Sequence, residues 1–402
     1  MNRQMVSVVL AWMLMGFVCV QAQVRVTKTA GQKATIDLSG LTADPSASAQ
    51  LFRKTLETDL DRSGWFVRGA PGRSEISVGG ECEEGGGSVK VSCRVHEVAT
   101  RSRLLGKTYR ASADGARRLA HQVADEIIEA VTGQKGIFSG RLVLVGNRTG
   151  SKELYLCDSD GQGLAQLTRD RSISLAPRWS ADGSIISYTS YINGFPDVYT
   201  IDVASGSRSR VASFPGLNTG GEISPNGRDM ALILSKDGNP ELYVMDLRSR
   251  RLTRITQTPR AAEASPSWSP DGSQIVYVSD APGSPQLYVV SRDGGQPKRL
   301  TGRVAESVTP RWGSNGVITY SARIGGRYHV CVLNPQTLES RQITADGADY
   351  ENPCWAPNGR HIACGRKTGG RSAIYLLDTM GDPPIALLDI QGNWYSPSWS
   401  AQ

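Results

Sequence analysis

The sequence is poor in the residues that build metal centres. It has 4 histidines and 7 cysteines in 402 residues, too scattered for any of the usual zinc spacings. It has no Gly-x-Ser-x-Gly pentad, which excludes the nucleophile elbow of an α/β-hydrolase. Its formal net charge is +7, yet no run of five or more basic residues occurs. After the first 22 residues no apolar run is long enough to cross a bilayer. What is plentiful is glycine, with 44 residues, and proline, with 20. There is no strict Gly-x-y period, so collagen is excluded and the excess must serve turns. With 39% hydrophobic and 21% charged residues the chain can bury a core, and a turn-rich β architecture fits it better than a helical enzyme.

Residues 1–22 form a segment apart. Arg3 precedes an apolar stretch from Val6 to Val20, and Val20-Gln21-Ala22 ends it with the small residues a signal peptidase reads. The stretch is shorter than the roughly 20 residues of a membrane span. It reads as an export signal, so the mature chain starts at Gln23 and is exported. An exported protein meets little nucleic acid, and the scattered positive charge reads as a solvated surface. Export also permits disulfides. Cys82 and Cys93 flank a Gly-rich turn, and Cys354 and Cys364 flank Ala-Pro-Asn-Gly. Each pair is a possible disulfide if the strand register brings the sulfurs together. Cys157 and Cys331 sit in apolar runs and read as buried thiols.

Self-similarity dominates from residue 177 onward. Pro177-Arg178-Trp179-Ser180-Ala181-Asp182-Gly183 returns as Pro266-Ser267-Trp268-Ser269-Pro270-Asp271-Gly272, and in four further variants. The anchor residues are Trp179, Ile223, Trp268, Trp312, Trp355 and Trp399, at steps of 44, 45, 44, 43 and 44 residues. After most anchors an Asp-Gly or Asn-Gly turn leads into short β-rich runs such as Gln274 to Val278 and Gln286 to Val290. Four short antiparallel strands per unit of this length make a propeller blade. A unit lacking its anchor strand precedes Trp179, and the last anchor, Trp399, lacks the other three strands. Together they complete one blade. The fold class is therefore mainly β: a six-bladed propeller over residues 137–402, closed by pairing its N- and C-terminal strands. Its tryptophans recur too regularly for a ligand lining and read as structural.

Residues 23–136 lack the repeat and read as a small α+β domain. Val24 to Thr27 alternates like a strand or an extended arm. Asp44-Pro45 reads as the cap and first residue of a helix carrying Leu51, Phe52, Leu56 and Leu60 and ending near Gly64. Short strands are expected at Trp65 to Val67, Val89 to Val91, Arg94 to Val98 and Leu105 to Arg110. A second helix over about 114–131 presents Leu119, Val123, Ile127 and Val131, and Gly133 ends it.

These features resemble the TolB family, periplasmic components of the Tol–Pal system of Gram-negative bacteria. The resemblance covers the mature chain. It is carried by the propeller repeat, by Arg118-Leu119-Ala120-His121, by Asp125-Glu126-Ile127, by Thr132-Gly133-Gln134-Lys135-Gly136 leading into the first propeller strand, and by the segment from Asn239 to Leu247. It implies a non-enzymatic scaffold without cofactor or metal. Such a scaffold binds a Pal-like peptidoglycan-associated lipoprotein through the propeller and a TolA-like inner-membrane protein through the mature N-terminus. Other outer-membrane proteins are possible partners, and the implied role is envelope integrity and constriction at division. The chain departs from the family at the Gly-rich stretch over about 71–88 and at Ile223, where an aromatic is usual.

The segments leading into the anchor strands should form one rim of the central channel, where recognition concentrates on a rigid ring. On that rim the candidate partner-binding residues are Leu217, Asn218, Thr219, Arg260, Glu263, Glu306, Thr309, Tyr350, Glu351, Asn352, Trp394 and Tyr395. Tyr350, Trp394 and Tyr395 would be the aromatic anchors, and the charged residues would supply complementarity. Gln23, Val24, Arg25, Val26 and Thr27 form a second candidate site, able to add as a strand to a partner's sheet. The alternatives are a glycan- or peptidoglycan-binding propeller, resting on the rim aromatics, and a metal-dependent propeller hydrolase, for which Glu222, Glu263 and Glu351 are the channel candidates.

Overall fold

The computed structural model describes residues 32–400. The export signal and the N-terminal arm expected from the sequence lie outside the described residues. Strand β1 (Ala34–Ala43) leads into helix α1 (Ala47–Arg62), then β2 (Phe66–Arg68), β3 (Ile76–Gly85), β4 (Ser88–Glu97), β5 (Arg103–Ser112) and helix α2 (Ala116–Thr132). The sheet order is β2-β1-β3-β4-β5, with β1 parallel to both of its neighbours and β3, β4 and β5 antiparallel. Both helices bury an apolar stripe on it. Phe52, Leu56 and Leu60 of α1 and Val123, Ile127 and Val131 of α2 share a core with Ile36, Val78, Val91 and Val95.

Helix α1 starts two residues later than its sequence signal. Ser46 is the cap, its hydroxyl accepting from the Ala49 amide at 3.4 Å. The Asp44 carboxylate is used elsewhere, accepting the amides of Ser46 at 3.0 Å and Glu84 at 2.7 Å. The end of α2 is as expected: Gly133 takes a left-handed φ of 69° and its N–H returns to the Glu129 carbonyl at 2.8 Å. The Gly-rich stretch is a long hairpin of β3 and β4. Gly80 is required there, since a Cβ would lie 1.8 Å from the Ser92 carbonyl oxygen.

Six four-stranded antiparallel sheets follow. Five are continuous in sequence, and each is named here by its anchor residue. In the sixth, the closing blade, Trp394–Trp399 pairs with Arg141–Gly146: Tyr395 lies opposite Val145 and Trp399 opposite Leu142. The junction is specific to small residues. A Cβ on Gly146 would lie 2.3 Å from the Trp394 ring, which itself packs edge-on against Tyr155 at 5.1 Å. The anchors hold blade to blade. The indole N–H of Trp179 donates to the Ser398 carbonyl, that of Trp268 to Glu222 and that of Trp355 to Val317, each in the preceding blade, at 2.9–3.1 Å. Trp312 instead bonds Gly316 of its own turn, and the buried Trp399 indole nitrogen has no hydrogen-bond partner.

The N-terminal elements do not hang free of the ring. Their core runs on through Ile137 and Phe138 into Leu142, Leu144 and Trp399 of the closing blade. Two charge clusters reinforce it. Arg117 of α2 meets Asp158 and Asp160, while His121 lies 2.6 Å from Asp59 and 3.4 Å from Asp160. On the Trp355 blade, Arg360 pairs with Asp378 and donates to the Gly64 carbonyl at 2.8 Å.

The two possible disulfides are not formed. All six described cysteines are free and buried. Cys82 lies opposite Val91 and Cys93 opposite Gly80, so the sulfurs sit diagonally rather than face to face. Cys354 lies opposite Ala363, so Cys364, the next residue, points to the other side of the sheet. Burial holds the thiols of Cys82, Cys93 and Cys354 up at about 12, far from the reactive thiolate.

Candidate channel-mouth interface

Each blade contributes its first strand to the channel, and these six strands share one irregularity. Three residues before every anchor the backbone turns left-handed: Ala176 (φ 51°), Gly220 (80°), Ser265 (49°), Thr309 (50°), Asn352 (53°) and Ser396 (47°). Five of the six are not glycine, and each of those precedes a proline, so the conformation costs about 1–2 kcal/mol per site. The pairing register with the second strand slips at the same place in every blade. This is a bulge, and it re-aims the side chains on either side of it.

The bulge decides which rim residues are accessible. Tyr350 lies opposite Arg366 and Trp355 opposite Ile362, positions four apart on one strand. The two aromatics therefore share a face although they are five positions apart, and simple alternation would have put them on opposite faces. The position five before each anchor is consequently buried in all six blades: Ser174, Asn218, Glu263, Ser307, Tyr350 and Trp394.

Four residues expected at the interface are thereby corrected. Tyr350 and Trp394 are 0% exposed and are core residues, not aromatic anchors. The Tyr350 hydroxyl donates to Asp346 at 2.8 Å and accepts from Arg366 at 2.9 Å. Asn218 is buried and holds its own turn, bonding both the N–H and the carbonyl of Phe214. Glu263 is buried, accepting from Thr258 at 2.6 Å and Ser279 at 3.3 Å, and burial lifts its carboxyl to about 7.

The other candidates do reach the surface. Leu217, Thr219, Glu306, Thr309, Glu351, Asn352 and Tyr395 are half-buried, and Arg260 is exposed. Glu306 is held by the Tyr328 hydroxyl and by Arg323 at 2.7 Å, and these bonds keep its carboxyl below the usual range. The Lys152 ammonium lies 5.4 Å from the Tyr395 ring centroid. A further feature escaped sequence reasoning. Ile173, Ile192 and Phe195 are exposed apolar residues, Phe195 at 73%. The hairpin turn of the Trp179 blade lies beside the start of its first strand: Ser190 pairs with Ser174, and the Tyr191 amide bonds the Ile173 carbonyl. The three thus share the rim of the channel mouth. The signal was the turn Asn193-Gly194-Phe195-Pro196, where a large apolar residue has no core to enter.

Just inside the mouth, the residue before each anchor points inward: Arg178, Glu222, Ser267, Arg311, Cys354 and Ser398. Glu222 accepts the Trp268 amide and the Ser267 hydroxyl on one oxygen, each at 3.0 Å, and Arg311 on the other at 2.6 Å. Among the described residues no group of three or more His, Cys, Asp or Glu is placed to hold a metal ion.

Comparison with known proteins agrees with this architecture. Residues 128–402 match the family model described as the TolB beta propeller domain. A TolB homolog from Chlorobium luteolum is 32% identical over 334 residues, covering 81% of this chain and 75% of that protein. The Tol-Pal system protein TolB of Bordetella pertussis is 30% identical over 345 residues, covering 86% and 78%. The crystal structure of TolB from Acinetobacter baumannii superposes with a TM-score of 0.82 at 27% identity, over 92% of this chain and 97% of that one.

Proposed function

Because the chain belongs to the TolB β-propeller family, we propose that it serves as a non-enzymatic scaffold of the Tol–Pal system in the periplasm. Its channel mouth binds a Pal-like peptidoglycan-associated lipoprotein. Its N-terminal arm, with Gln23, Val24, Arg25, Val26 and Thr27, binds a TolA-like inner-membrane protein. Through these two contacts it helps to keep the outer membrane intact and to draw it inward at division.

The observation that carries this reading is the make-up of the mouth. A rigid ring presents half-buried polar residues, Thr219, Thr309, Glu351 and Asn352, beside an exposed apolar edge of Ile173, Ile192, Phe195 and the half-buried Tyr395. An apolar anchor next to a polar rim is the make-up of a protein–protein contact. A glycan-binding reading rests on the rim aromatics Tyr350, Trp394 and Tyr395, and the first two are buried. The test is retention of the organism's own Pal-like lipoprotein by the mature chain, followed by calorimetric titration. Saturable binding weakened by Phe195→Ser is expected; no binding by the intact chain overturns the assignment.

A further inference from the structure

The ring of residues just inside the mouth holds an unusual charge arrangement. At four of its six positions the side chain accepts the anchor amide of the next blade: Ser398 from Trp179, Glu222 from Trp268, Ser267 from Trp312 and Cys354 from Trp399. The other two positions are Arg178 and Arg311, which carry only donors and cannot play that part. They come from the Trp179 and Trp312 blades, three blades apart, and so face each other across the six-fold ring.

One carboxylate serves both. Glu222 binds Arg311 at 2.6 Å, while the Arg178 Nε stands 3.8 Å from the same oxygen. Among the described residues the Arg178 guanidinium makes one hydrogen bond, to the neighbouring Pro177 carbonyl at 2.7 Å. The lumen thus carries one more positive charge than negative at this level, within low-dielectric walls. Burial outweighs the attraction of Glu222 and lowers Arg178 to about 10. Solvent still reaches it, at 16% side-chain exposure. Arg311 is two residues past Thr309 at the mouth, on the inner side of the bulge.

The geometry points to a binding site for a small oxyanion, a phosphate or a carboxylate group, held between Arg178 and Arg311 with Glu222 as the internal anion it competes with. Planar guanidinium forks suit such two-oxygen ligands. The site does not depend on which protein docks at the mouth. Two sources share the chemistry, a free phosphate ion and an acidic side chain entering from above, and the probes separate them.

The mature chain is titrated calorimetrically with sodium phosphate and, separately, with sodium acetate, at constant ionic strength set by chloride. Saturable binding is expected, weakened about tenfold or more by Arg178→Gln and strengthened severalfold by Glu222→Gln, which removes the competing charge. Phosphate binding with this pattern assigns the site to free ions. Acetate binding with this pattern and no phosphate binding assigns it to carboxyl groups. Binding of neither, or binding unchanged in Arg178→Gln, overturns the proposal. If Arg178→Gln does not fold, the Glu222→Gln variant decides alone: affinity equal to or below that of the parent overturns it.

Discussion

The Arg360 guanidinium lies over the Trp65 ring, 4.2 Å from its centroid, and so joins the Trp355 blade to the segment after α1. The same guanidinium bonds Asp378 at 2.6 Å and the Gly64 carbonyl at 2.8 Å. Replacing Arg360 by Met leaves Asp378 buried without its partner. The expected loss is about 3–5 kcal/mol, read as a lower urea midpoint. Adding Asp378→Leu to that variant should restore part of the loss, because the orphaned charge is gone; a double variant no more stable than the single one counts against the ion pair as the cause.

Ring closure rests on a short strand. Deleting residues 394–402 removes the edge strand of the closing blade and exposes Arg141–Gly146. The truncated chain is expected to melt at a lower temperature and to aggregate. Gly146→Val should act in the same direction through the Trp394 ring, whereas Gly85→Ala, with nothing within 4 Å, should be near neutral. A truncated chain with an unchanged melting temperature refutes the closure argument.

His121 makes stability depend on alkaline pH. Burial disfavours its charge, but Asp160 and Asp59 outweigh burial and lift it to about 9. Its folded value is above the unfolded one, so the stabilisation is full below about 6.5 and is lost as pH rises toward 9. Unfolding midpoints should fall across that window, and His121→Gln should flatten the fall. An equal decline in both proteins would assign it to other groups.

Glu263 shifts the balance at lower pH. Burial lifts its carboxyl from 4.5 to about 7. Folding therefore favours its protonated form, and its contribution is present below about 4.5 and lost as pH rises through 7. Glu263→Gln keeps the shape without the charge. It should be more stable than the parent at pH 8 by about 1–3 kcal/mol, and the gain should shrink by pH 5.

Tyr395 and Tyr350 should separate binding from folding. Tyr395→Ala should weaken capture of the Pal-like partner about tenfold with little change in melting temperature. Tyr350→Ala empties a core position and should cost about 3–5 kcal/mol of stability. Reversed phenotypes would put the interface elsewhere.

The blades were legible because their signals are local: an anchor, a turn and three β runs repeat within each unit. Ring closure was legible because the two incomplete units are complementary. The exposure of individual rim residues was not, since a left-handed residue three positions before the anchor reverses the alternation within each first strand. That is why Tyr350 and Trp394 read as surface aromatics. Strands β1 and β3 were missed for a different reason. Their parallel pairing is non-local, and Ser39-Gly40 and Gly79-Gly80 interrupt their apolar pattern. The apolar trio at the mouth was overlooked because two of its members belong to a hairpin turn rather than to a segment entering an anchor strand.

The join between Arg141–Gly146 and Trp394–Trp399 also sets a timetable for biogenesis. Five blades are contiguous and can assemble one after another as the chain emerges. The closing blade has to wait, because its inner strand is the last of the described strands to be made. Until then Arg141–Gly146 has an unpaired edge, and the hydrophobic surface that Trp399 will cover stays open. Contacts spanning the whole ring close slowly, and a waiting edge invites foreign strands. Closure of the ring is therefore gated by the strand Trp394–Trp399, and the interval before it pairs is when the open edge is most exposed to foreign chains.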